Sequence, residues 1–136
     1  MKGGIYLMYI KYSSGFMIAS LIQAAIIAFA EDAGLSHLGA KLTLTQLLIH
    51  ILAGQVVGYI LLFIIRKMNI AQRLNTFVIG VIWGMIVWAG LIPINAAQGK
   101  VKLPWEAGIG TVISSVLAFV IFGVIATHTI KYFGDQ

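Results

Sequence analysis

Four long stretches of this sequence contain no aspartate, glutamate, lysine or arginine. They are residues 12–30, 42–65, 74–99 and 107–130. Each holds the roughly 20 residues that a helix needs to cross the hydrocarbon core of a bilayer, and apolar segments cross as helices because lipid leaves no partner for unpaired backbone groups. The sequence therefore predicts an all-α integral membrane protein with short loops, a single transmembrane domain over residues 1–136. Its four transmembrane helices are predicted at about 13–30, 44–65, 75–96 and 107–131.

Composition agrees with this prediction and excludes several functions. Hydrophobic residues make up 60% of the chain and charged residues 10%, against about 25% charged in an average soluble domain. The absence of cysteine excludes disulfides, thiolate chemistry and cysteine-ligated metal sites. The net charge of +5 is spread over the segments that flank the membrane, so we expect the lipid bilayer as a partner and no nucleic acid.

The basic residues also predict an orientation. Six would lie on the side of the membrane that holds both chain ends: Lys2, Lys11, Arg66, Lys67, Arg73 and Lys131. The opposite side would hold three, together with three acidic residues: Lys41, Lys100, Lys102, Glu31, Asp32 and Glu106. Cytoplasmic loops carry the excess of lysine and arginine. The expected topology therefore has both ends in the cytoplasm (N-in/C-in).

The first helix has one competing interpretation. Ala28-Phe29-Ala30, after an apolar stretch with basic residues before it, resembles a signal-peptidase site. Cleavage there would leave three helices and an external N-terminus. Gln23 interrupts the apolar stretch, and for this reason we expect the helix to be retained.

Small residues indicate where helices approach each other closely in lipid. The second helix carries Gly54 and Gly58, and the third carries Gly80 and Gly84 at a similar depth. This match predicts a seam between these two helices, with a homodimer face as the alternative. Gly110 begins a face of small residues on the fourth helix, whereas the first helix has no such motif and is expected to pack more loosely.

Eight of the polar residues within the spans or at their ends are candidates for a polar cluster: Gln23, Gln46, His50, Gln55, Asn95, Thr111, Ser114 and Ser115. Polar side chains inside a membrane face the bundle interior by default, which makes these residues candidates for a functional site. The alternative is hydrogen bonding between helices, worth about 0.6 kcal/mol per contact. Among them His50 is the residue able to titrate near neutral pH.

No catalytic or metal-binding arrangement can be assembled from the sequence. All four acidic residues lie outside the spans, and no HExxH, phosphate loop or paired carboxylate is present. His50 and His128 would lie about 15–20 Å apart in depth, so they cannot hold one haem iron between them. We therefore expect no enzyme activity, no metal and no cofactor.

From about residue 46 to residue 131 the sequence resembles the YagU and YqhR type of small bacterial membrane proteins. The likeness lies in His50, Gly58-Tyr59, the segment from Gly80 to Gly84, Pro93, and Leu103-Pro104-Trp105-Glu106. The short first outer loop, residues 31–41, is closer to the YqhR-like chains. The resemblance implies a bacterial plasma (inner) membrane and a multi-helix fold. It brings no substrate, cofactor or catalytic residue.

Three functions are compatible with these features. The favoured one is a non-enzymatic accessory, oligomeric or envelope-homeostasis protein, with a second copy or another membrane protein as partner. The alternative is a small oligomeric channel or transporter, lined by the polar residues of the second and fourth helices. A membrane enzyme is the third.

Overall fold

The computed structural model describes residues 2–39, 43–68 and 75–134, and these parts of the chain are all-helical. Their helices are α1 (Lys2–Asp32), α2 (Leu44–Met68), α3 (Thr76–Ala97), α4 (Pro104–Ala107) and α5 (Ile109–Gly134). Four of them, α1, α2, α3 and α5, are long and apolar enough to cross a membrane. The prediction of an all-α fold with four helices long and apolar enough to span a membrane is confirmed.

The bundle has two chemically different ends. At one end the start of α1 meets the ends of α2 and α5: Arg66 donates a hydrogen bond to the Tyr12 hydroxyl over 3.0 Å, and the Tyr12 ring lies edge-on to Phe133. We call this the basic end, because Lys11, Lys67 and Lys131 lie there too. The opposite end, which we call the loop end, contains α4 and residues 33–39 and 98–103. Lys41, Arg73 and the side chain of Lys2 lie outside the described residues.

Helix α5 is the centre of the packing. It forms the most extensive interface with α3, the next with α1, and only a small one with α2. Helix α2 packs mainly on α1. Helices α2 and α3 therefore do not pack along each other, although they follow one another in sequence.

This arrangement contradicts the expected seam between the second and third helices. Gly80 and Gly84 face the backbone of α5, and a Cβ at either would collide with it. Gly54 faces Ser20 of α1, and Gly58 faces the ring of Phe16. Small residues show that some neighbouring helix can pack closely against each of these two helices, but they do not show which helix that is. The predicted seam is wrong, and each glycine pair has a different partner.

The expectation that α1 packs loosely is also wrong. Its residues Tyr12, Phe16 and Ala19 are at most 1% exposed, and Gly15 lies directly against Thr129 of α5. Two of the small residues that accommodate side chains of α1 lie on α2, where Gly58 faces Phe16 and Gly54 faces Ser20. The tripeptide from Ala28 to Ala30 is helical, inside α1.

The two ends of the bundle are filled differently. Near the basic end, one apolar cluster takes buried residues from all four long helices, including Phe16, Leu61, Ile79 and Phe122. The cluster near the loop end has a buried core of Leu38, Val87, Ile92 and Phe119, to which α2 adds only the partly buried Val57. The residues of α2 from Leu44 to Ala53 are all half-buried or exposed. Helices α2 and α3 are therefore separated near the loop end.

Two features of α3 concern its ends. Asn75 caps its start, accepting a hydrogen bond from the Phe77 N–H over 2.8 Å. Pro93, which could have ended the helix, lies inside it, and α3 continues to Ala97. Neighbouring helices make such prolines tolerable in membrane bundles.

The loop that follows α1 is held by one carboxylate. Glu31 Oε1 accepts hydrogen bonds from the backbone N–H groups of Leu38 (2.7 Å) and Gly39 (3.3 Å), and from the Ser36 hydroxyl (3.1 Å). Leu38 is thereby held in the apolar cluster, where it is 1% exposed. The backbone N–H of Lys102 donates to the Leu38 carbonyl, joining this loop to the one after α3.

Candidate ligand-binding cavity

A cavity of about 560 Å³ lies between α2 and α3 near the loop end. It exists because the first part of α2 stands away from α3, and α1, α5 and the two loops enclose its remaining sides. Sites for small molecules typically have volumes of about 300–1,000 Å³ and mostly apolar walls. The cavity falls within this range.

Four of the eight polar candidates meet in this cavity, and a loop lysine joins them. The polar lining is Gln23 from α1, Gln46 and His50 from α2, Asn95 from α3, and Lys100 from the following loop. The spacing of Gln46 and His50, four residues apart, places them on one face of α2. Gln23 and Asn95 lie on other helices, and the packing of the helices brings them to the same cavity.

Gln23 is the most unusual member of this lining. It is 3% exposed, yet no hydrogen bond to its side chain is found in the described parts of the chain. Its amide atoms are not among the fully buried polar atoms that lack a partner in the described structure, so they remain accessible from the cavity. Since Gln23 lines the cavity, a bound molecule could supply its missing partner.

His50 and Asn95 each use one side-chain polar atom in a hydrogen bond to the protein, and the other polar atom has no partner in the described structure. His50 Nε2 donates to the Ser20 carbonyl oxygen over 2.9 Å, and a carbonyl can only accept, so the proton is on Nε2 and Nδ1 remains an acceptor in the neutral ring. Asn95 Nδ2 donates to the Leu91 carbonyl over 2.9 Å. Its carbonyl oxygen is therefore available to a ligand donor.

The apolar part of the cavity lies deeper in the bundle. Its walls include Val57, Val87, Phe119 and Phe122. Ile49 of α2 and Ile94 of α3 also border it and are 44% and 54% exposed, so the cavity opens sideways between these helices. A second opening lies at the loops, where the exposed residues Gly39, Gly99 and Lys100 line the cavity.

Gln55, which was expected to share a surface with His50, lies elsewhere. Five residues along an α-helix amount to a rotation of about 140° from His50. Gln55 Nε2 donates to the Ser13 carbonyl over 2.8 Å, and the Tyr59 hydroxyl donates to the Tyr9 carbonyl over 3.0 Å. Gln55 therefore belongs to a row of contacts that fastens α2 to α1.

The three predicted candidates on α5 also form contacts outside the cavity. Thr111 Oγ1 accepts from the backbone N–H of His37 over 2.8 Å. Ser115 Oγ accepts from Trp88 Nε1 over 2.9 Å, joining α5 to α3. Ser114 donates to the Gly110 carbonyl within its own helix, and Gly110 itself lies against the backbone of Leu35.

Sequence reasoning missed Lys100 as a site residue and used it only as a topology signal. Its position directly after Gly99, whose φ of 75° favours glycine, brings it back to the cavity mouth. A glycine followed by lysine in an outer loop is too common to have revealed this. Leu38 and Gly39 also line the cavity and were not predicted.

The His50 contact predicts a small structural effect. His50→Leu removes one hydrogen bond between α2 and α1, and we expect a loss of about 0.6 kcal/mol in stability. His50→Gln keeps a donor and should be closer to the original protein. Thermal unfolding of both purified variants in one detergent measures the difference. A loss of several kcal/mol for His50→Gln would contradict this view.

Comparisons of the chain with protein-family models, with curated proteins and with solved structures found no match. The resemblance to the YagU and YqhR type therefore stays a prediction. The cavity and its lining are the features from which a function can be inferred.

Proposed function

We propose that this chain is a non-enzymatic, multi-pass protein of a bacterial plasma membrane, of the YagU and YqhR type, that binds an amphiphilic molecule between α2 and α3. It would act as an accessory or envelope-homeostasis protein, alone, as a homo-oligomer or beside another membrane protein. One observation carries the proposal: the cavity combines an apolar floor with the unpaired amide of Gln23, which lines it.

The sideways opening supports a ligand that comes from the bilayer. Exposed apolar residues of the four long helices would face lipid in a membrane, and Ile49 and Ile94 are exposed where they border the gap. A molecule dissolved in the bilayer could enter between them without leaving its apolar surroundings.

The distribution of charge supports an orientation with the basic end in the cytoplasm. That end holds the described basic residues Lys11, Arg66, Lys67 and Lys131. The loop end holds Lys100 and Lys102, together with the acidic Glu31, Asp32 and Glu106. The cavity would then open in the outer half of the membrane.

Cysteine labelling tests this orientation, and the chain has no cysteine to interfere. Met68→Cys and Gln98→Cys replace exposed, uncharged residues near the basic and the loop end. In intact cells an impermeant maleimide should label Gln98→Cys and leave Met68→Cys unlabelled until the cells are opened. The opposite pattern would invert the topology.

The channel alternative has less support. Its lining was expected to combine His50 with Gln55 and the serines of α5, and these side chains contact different neighbours in the structure. The polar residues near His50 form a cavity, and its deep wall is apolar.

A cavity-filling substitution tests the proposed function. Ala53 lines the cavity, so Ala53→Trp should occupy it, whereas the exposed Ala89 of α3 provides a matched control, Ala89→Trp. We expect intact-mass measurements on protein from mild detergent to show a retained small molecule in the original chain and in Ala89→Trp. Ala53→Trp should have lost it. Equal retention by both folded variants would place the molecule outside the cavity.

A further inference from the structure

We infer that the ligand of this cavity is an anionic lipid, with its headgroup charge at Lys100 and one chain on the apolar floor. This inference rests on the proposed function and names the chemical class of its ligand. Three layers of the cavity carry it: a cation at the mouth, uncharged hydrogen-bonding groups behind it, and apolar side chains at the bottom.

The mouth has positive character. Lys100 is exposed and lines the cavity, and none of the described lining residues is acidic. Glu31, an acidic residue that does not line the cavity, accepts three hydrogen bonds from its own loop. Lys100 lies just beyond the end of α3 at Ala97, which is the depth at which lipid headgroups meet the ends of spanning helices.

The middle layer favours a ligand rich in oxygen acceptors. The side chains of Gln23 and Gln46 each carry an amide NH₂ with two donors, and the described structure gives neither side chain a partner. Phosphate and ester oxygens accept such bonds, and charged acceptors form the stronger ones. Because Gln23, Gln46 and Asn95 carry no charge, we place the headgroup charge at Lys100, the lysine of this lining.

The floor and the side opening fit the rest of a lipid. Val57, Phe119 and Phe122 give an apolar surface for the first part of one chain. A cavity of about 560 Å³ has the size of a small-molecule site. The remainder of the lipid can stay in the bilayer, leaving through the gap between Ile49 and Ile94.

Lipid titration of the intact chain in mild detergent, followed by native mass spectrometry, tests the inference. The probes are phosphatidylglycerol and phosphatidylethanolamine with identical chains. We expect tighter binding of phosphatidylglycerol, and Lys100→Gln should lower this affinity about fivefold, the effect of one lysine at a membrane surface. Binding of phosphatidylethanolamine, whose ammonium group offsets the charge of its phosphate, should change less.

Matched variants separate the layers of the site. Lys131→Gln removes an exposed lysine at the basic end and should leave both affinities unchanged. Gln23→Leu should weaken both lipids, whereas Gln55→Leu, which alters a glutamine bonded to α1, should weaken neither. Circular dichroism and gel filtration establish that each variant is folded.

The outcomes distinguish the inference from the proposed function. Equal affinities for the two lipids, unaffected by Lys100→Gln but abolished by Ala53→Trp, would overturn the anionic lipid and leave a cavity ligand. Binding that survives Ala53→Trp would overturn both. Displacement of phosphatidylglycerol by glycerol phosphate alone would show that a soluble anion suffices, and the lipid would be rejected.

Discussion

Gly84→Leu is expected to produce one of the largest losses of stability in this bundle. A Cβ at position 84 would collide with backbone atoms of Phe119 and Val120, and a helix backbone cannot rotate aside as a side chain can. Overpacking of this kind typically costs about 1–3 kcal/mol. We expect Gly84→Ala to fall in that range and Gly84→Leu to exceed it, as measured by thermal unfolding in detergent.

Gly90 provides the control on the same helix. No atom lies within 4 Å of a Cβ built at this position, so Gly90→Ala and Gly90→Leu report only the change in helix propensity, which favours both over glycine by up to about 1 kcal/mol. These variants should be neutral or slightly stabilised. Equal shifts at positions 84 and 90 would show that α3 does not pack on α5 through this face.

The second large effect is expected at Glu31. Glu31→Ala removes an acceptor shared by the Leu38 and Gly39 N–H groups and the Ser36 hydroxyl. Hydrogen bonds to a charged group are worth about 1.5–3 kcal/mol, which corresponds to a roughly ten- to hundredfold faster opening of the loop. Hydrogen–deuterium exchange at Leu38 and Gly39 should accelerate by that factor.

Asp32→Ala is the matched control for the loop. Asp32 is the acidic neighbour of Glu31, is exposed, and makes no side-chain hydrogen bond in the described parts of the chain. Its replacement should leave exchange at Leu38 unchanged. If Glu31→Ala also leaves it unchanged, burial of the leucine side chain holds the loop, and the carboxylate contributes little.

The spans could be predicted because they depend on single-helix properties. Each needs about 20 residues without charge, and the sequence displays that directly. The partner of each helix depends on which faces meet in three dimensions. Gly54 and Gly80 indicate equally that a neighbour comes close, but one neighbour is the side chain of Ser20 and the other is the backbone of α5.

In the candidate site, too, the features that depend on one helix could be predicted, and those that depend on packing between helices could not. Gln46 and His50 share a face at a spacing of four residues, and they line one cavity. Gln55 carries the same amide as Gln46, but it lies further along the helix, and its rotation of about 140° from His50 directs it to α1. Gln23 and Lys100 enter the cavity only because α2 diverges from α3, and no local pattern encodes that divergence.

The central position of α5 has a consequence for biosynthesis. Helices α1 and α2 can pair as soon as both are inserted, but the larger partner of α1 is the last of the four spans to be made. Before α5 is made, the contact between Gly15 and Thr129 cannot form, and the cavity lacks the part of its wall that Phe119 and Phe122 provide. The cavity can therefore be complete only after the fourth span has joined the other three.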